Sequence, residues 1–165
     1  MPLSAESMKN DIIAAMKGST NAQDANKKCG DAILKNICDN IKITYGWAAV
    51  NPAGSPDPVT SFEATVSGGG TLTPSDSFDA MVLKLAALIK GLKIEPPTGF
   101  NLAPLIFNPA GVLSISMDGE DNQDSAMTTL SDQLVKSIKA SFINPTPSTG
   151  SKGAFTGATA GMIIE

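Results

Sequence analysis

The chain has 165 residues, 42% of them apolar, with a formal charge of −4 and a pI of about 4.7. That length and composition predict one domain with its own core, burying roughly 70% of the surface that the unfolded chain exposes. Histidine is absent and all 12 positive charges are scattered lysines, which excludes histidine acid–base chemistry, histidine metal sites, arginine clamps and the basic stripe of a duplex-binding domain.

In chain order, the first helix begins with Ser4 as N-cap, and Leu3 before it is placed to staple against Met8. Its apolar stripe is Met8, Ile12, Ala15 and Met16, and Gly18 ends it. The second helix opens at Thr20 or Asn21, with Gln23 and Asp24 placed for a capping box. It carries Cys29, Ile33, Ile37 and Ile41 at helical spacing, with Gly30 inside it. Cys29 and Cys38 lie ~13.5 Å apart along a helix axis and on opposite faces, too far for a disulfide. They read as two small buried thiols in a reducing compartment.

After the second helix the period changes from 3.6 to 2. Ile41, Ile43, Tyr45 and Trp47 alternate with Lys42, Thr44 and Gly46, and Phe62, Ala64 and Val66 alternate with Glu63 and Thr65. Pro52, Gly54, Pro56 and Pro58 between these runs predict a long-looped antiparallel pair, with Tyr45 and Trp47 on the face of Ile41 and Ile43. Asn51-Pro52-Ala53-Gly54 recurs as Asn108-Pro109-Ala110-Gly111, which is turn chemistry rather than a duplicated half-domain. Ser67-Gly68-Gly69-Gly70-Thr71 reads as a flexible connection.

Thr73-Pro74-Ser75-Asp76 predicts the start of the third helix, with a proline at its first position. Phe78, Met81, Val82, Leu85, Leu88, Ile89 and Leu92 give it the widest apolar face, so residues 74–92 are expected to form the central core element. Leu113, Ile115 and Met117 offer a third strand. The fourth helix follows Asp121-Asn122 and carries Met127, Leu130, Leu134, Ile138 and Phe142 until Pro145 stops it. The fold class is therefore α+β, with about four helices packed on a small antiparallel sheet. Residues 1–144 form the domain, and residues 145–165 an extended Gly/Pro/Ser/Thr-rich arm.

Few segments look chemical. Asp118-Gly119-Glu120-Asp121-Asn122-Gln123-Asp124 has oxygen ligands for a hard cation but lacks the glycine and glutamate spacing of an EF-hand loop, and reads as a turn and N-cap. Pro147-Ser148-Thr149-Gly150-Ser151-Lys152-Gly153 lacks the first glycine, the Ser/Thr and the following helix of a phosphate loop. Glu63, Asp76, Asp79 and Glu95 could serve a carboxylate-based hydrolase only if the fold paired them. No catalytic residue, metal or cofactor is expected. No apolar run reaches the ~20 residues of a membrane span, and Met1-Pro2-Leu3-Ser4-Ala5-Glu6 lacks the basic and apolar regions of a signal peptide. Neither a membrane nor a nucleic-acid partner is expected. In the arm, Phe155, Met162, Ile163 and Ile164 are apolar anchors on a polar tether, placed to add a strand to a neighbour's sheet or, alternatively, to fold back onto their own domain.

The cast of residues 31–58 (Ala32-Ile33, Asn40, Ile41, Ile43, Tyr45, Trp47 and Pro56-Asp57-Pro58) resembles a minor virion protein of contractile-tailed bacteriophages. Asp124-Ser125-Ala126 and the run Gly150-Ser151-Lys152-Gly153 to Gly157 and Gly161 extend the resemblance. It implies a non-enzymatic structural role in a particle (capsid-associated, neck, tail or baseplate) assembled in the host cytoplasm. Other virion structural proteins and further copies of the chain would be its partners. The residues also leave open a free-standing soluble module that binds a small ligand or a regulatory partner.

Overall fold

Each helix starts where a polar side chain can accept one of the orphan N–H groups of its first turn. The computed structural model describes residues 2–47, 60–68, 70–74, 76–95, 106–108, 121–140, 142–144, 149–150, 153–154 and 159–165. Helix α1 (Ala5–Met16) is capped by Ser4, whose Oγ accepts the Ser7 N–H at 3.1 Å. Leu3 and Met8 are both buried in the core, as the staple requires, and Gly18 turns the chain at φ +79°. Helix α2 (Ala22–Asn40) is capped by Asn21, which accepts the Asp24 N–H at 2.8 Å while the Asp24 carboxylate accepts the Thr20 N–H at 3.3 Å.

Ile41 closes α2 in an extended conformation, and the change of period becomes strand β1 (Ile43–Trp47), antiparallel to β2 (Thr60–Ser67). The register sets Ile43 opposite Ala64, Tyr45 opposite Phe62 and Trp47 opposite Thr60. Helix α3 (Phe78–Lys90) follows, then β3 (Lys93–Glu95), β4 (Ile106–Asn108), α4 (Gln123–Lys139), β5 (Phe142–Asn144), β6 (Thr149–Gly150), β7 (Gly153–Ala154) and β8 (Thr159–Ile164). The main sheet has the order β3-β2-β1-β8, and β4–β5 and β6–β7 form separate two-stranded ladders.

The architecture is α+β. Helix α1 packs on α2 and α4, and α2 packs on α3. Their apolar stripes meet in one core that holds Met8, Ile12, Ile33, Ile37, Met81, Leu85, Ile89, Leu130, Leu134 and Ile138. The sheet contributes Ile43, Ile94 and Ile164 to the same core.

The third helix corrects the expectation from Pro74. It begins at Phe78, because Ser77 is the residue that caps it, accepting the Ala80 N–H at 3.2 Å. The segment before it lowers Leu72 into the core, and Asp76 accepts a hydrogen bond from the Gln23 side-chain amide. Helix α4 has Asn122 as its cap and ends at Lys139, before Phe142. Pro145 pushes the residue before it towards extended backbone, which accords with Phe142–Asn144 pairing as β5 with β4 rather than continuing the helix. The expected strand at Leu113, Ile115 and Met117, the turn at residues 51–54 and that at residues 109–111 lie outside the described residues.

Candidate assembly surface

Strand β8 is the apolar end of the predicted arm, and the fold uses it first within its own chain. It pairs antiparallel with β1, with Ile43 opposite Ile164, Thr44 opposite Ile163 and Tyr45 opposite Met162. Just beyond Ile164, Lys42 and Glu165 exchange both main-chain hydrogen bonds, at 2.5 and 2.7 Å. Ile164 is 8% exposed and belongs to the core, so it is not free to anchor a neighbour. Met162 and Ile163 take their places in the β8 ladder, while Phe155 lies outside the described residues. The register slips between Gly46 and Trp47, where Thr159 rather than Ala160 faces Trp47, leaving Ala160 as a bulge.

The other edge of the sheet ends on β3, a short strand carrying Lys93 and Glu95, the kind of charge that blunts an edge. Strand β8 carries no charge and no proline over its six residues, Thr159-Ala160-Gly161-Met162-Ile163-Ile164. Among the described residues, β1 is the only strand beside it. A second surface feature lies on α3, where Leu83 is the one exposed large hydrophobic among the described residues, at 59%.

The other candidates resolve into structural roles. Cys29 is buried among apolar side chains, and burial pushes its thiol up to about 12; Cys38 is also raised, by desolvation first and by Asp39 second. Both are free thiols; Cys29 is buried as expected, but Cys38 is only half-buried, which corrects the expectation of two buried thiols. In the acidic segment, Asn122 caps α4 and Asp124 pairs with Lys9 at 2.8 Å, while residues 118–120 lie outside the described residues. Among the described residues no group of three or more acidic or cysteine side chains is placed to hold a metal ion. Glu63 is paired with Lys42 at 2.7 Å and Asp76 with Gln23, so each of these carboxylates is engaged by a different element.

An open groove of about 410 Å³ runs between α1 and α2, floored by Ala14, Ala15 and Ala32 and flanked by Asp11, Lys28, Asp31 and Lys35. Its four charges are already partnered. Asp11 accepts from the Asn36 amide at 2.6 Å, Lys28 pairs with Asp24 at 2.9 Å, Asp31 with Lys27 at 2.5 Å, and Lys35 with Asp39. No helix among the described residues is long and apolar enough to cross a membrane. Sequence reasoning found β8 as an apolar segment and left its own domain or a neighbour open as its partner, because a strand pattern carries no address for the strand it joins.

No protein-family model matches the chain, and no curated protein or solved structure matches it either.

Proposed function

We propose that this protein is a non-enzymatic structural component of a bacteriophage particle, assembled with other virion structural proteins and with copies of itself through contacts that include its C-terminal arm. The observation that carries the reading is the uncharged, proline-free β8, which among the described residues forms the edge of the main sheet. Proteins that remain monomeric blunt such an edge with charge, proline or a covering element, whereas an assembling subunit uses it. The resemblance over residues 31–58 supports a particle as the setting. Its leading part forms the end of α2 and β1, the strand on which β8 is mounted.

The described charged groups accord with a binding and building role. The ion pairs are exposed or half-buried and lie along or between elements, as in a solvated surface. The test is mass spectrometry of purified particles from a host carrying the gene, together with light scattering of the isolated protein. The expected result is a fixed copy number per particle and reversible self-association. Absence from particles, with a strictly monomeric protein, would overturn the reading.

A further inference from the structure

We infer that the outer edge of β8 is a docking site for the β8 of a second copy, joined antiparallel about a two-fold axis at Ile163. This rests on the proposed reading of the chain as a self-assembling component. The argument starts from the ladder. Lys42 and Glu165 form a pair that exchanges both main-chain bonds. In an antiparallel ladder such pairs alternate with pairs that make none towards each other, so Thr44 and Ile163 are the next bonded pair. Ile164, opposite Ile43, and Met162, opposite Tyr45, therefore turn their N–H and C=O groups away from β1, towards the outer edge.

Those groups are self-complementary. A two-fold axis at Ile163 sets Met162 of each copy opposite Ile164 of the other, and the two pairs together close four main-chain hydrogen bonds. The bulge at Ala160 falls outside this overlap, and it ends the flat edge there, which limits the contact to a closed pair. Charge selects the same arrangement. Antiparallel pairing places Glu165 opposite Gly161, whereas parallel pairing would stack Glu165 on Glu165. The strand has no other charge to repel its copy. The product is a continuous antiparallel sheet across two subunits, with Ile164 of each still in its own core.

The test uses the full chain with Met162 altered in two ways. Met162→Pro removes an outward N–H at a position where an edge strand tolerates proline, and an N-methyl group on Met162, introduced by semisynthesis, removes the same donor without fixing φ. The expected result is self-association weakened by more than about tenfold in both variants, with the Ile163 amide still protected from exchange in each. Wild-type association in either folded variant would overturn the inference while leaving the assembly reading standing, as would dissociation by Leu83→Lys but not by the Met162 variants. Loss of Ile163 protection in both variants would also overturn it, because Met162 would then face β1. A wild-type chain that is monomeric at millimolar concentration and missing from particles would remove the assembly reading itself.

Discussion

Leu72 sits directly on Gly30. A Cβ built at Gly30 would lie 2.5 Å from Leu72 Cδ2 and 3.1 Å from Cδ1, so the glycine in the middle of α2 is the socket for a side chain from the segment leading to α3. The neighbouring residue fixes the same segment, since the Asp31 carboxylate accepts the Leu72 N–H at 2.6 Å. The socket offsets the loss in helix propensity that a glycine carries at an interior position.

This relationship predicts a reversal of sign. Gly30→Ala alone gains about 1 kcal/mol of helix propensity but forces Leu72 from its seat, and should destabilise by about 1 kcal/mol net. In a Leu72→Ala background the clash is gone, and the same change should stabilise by about 1 kcal/mol. Chemical denaturation of the four proteins of this cycle measures it. Equal effects of Gly30→Ala in both backgrounds would contradict the socket.

Along α3 the cost of truncation should follow burial. Leu85 is 1% exposed, Leu88 is half-buried, and Leu83 is exposed. Leu85→Ala should cost ~2–5 kcal/mol through transfer and cavity terms. Leu88→Ala should cost less, and Leu83→Ala should fall within about 0.5 kcal/mol of wild type in the dilute protein. Similar losses at all three positions, read from denaturation midpoints, would contradict this orientation of the helix.

The Cys29 thiol gives a pH dependence. Its folded pKa is pushed up from 9.0 to about 12 by burial. Between these values the unfolded chain has lost a proton that the folded chain keeps, so the unfolded state binds fewer protons and stability falls as pH rises. The loss should be present above about pH 9, absent at neutral pH, and reduced in Cys29→Ala once that variant's own cavity loss is subtracted at pH 7. Native-state thiol labelling should modify Cys38 before Cys29.

Because Ile164 is in the core, the arm's last strand contributes to the stability of its own domain. Ile164→Ala should cost ~2–5 kcal/mol, and deletion of residues 159–165 should lower the melting temperature as well as weaken assembly. Differential scanning calorimetry of the dilute protein checks both. An unchanged melting temperature would mean that β8 does not close on β1 in solution.

Local signals were the legible ones. Ser4, Asn21 and Asn122 are caps readable within three residues, and the alternation of residues 43–47 and 62–66 gave the β1–β2 pair. The start of α3 was not legible, because Thr73 and Ser77 are both good caps and the choice depends on Leu72 reaching Gly30, more than forty residues away in the chain. Strand β3 was hidden because Leu92 continues the apolar spacing of α3 and Leu92 and Ile94 alone are too short an alternation to read, so only pairing with β2 makes that segment a strand. In the candidate site, composition marked Met162, Ile163 and Ile164 as anchors. The main-chain alternation that divides them between inner and outer edges exists only once Lys42 meets Glu165.

Amide hydrogen exchange at Met162, Ile163 and Ile164, followed from dilute protein to the assembled state, tests the central claim most directly. In dilute protein the Ile163 amide should be protected by β1 while those of Met162 and Ile164 exchange fast. On assembly the latter two should become protected while Ile163 changes little. Met162 and Ile164 amides that stay fast in the assembled state would contradict the claim that β8 joins the subunits.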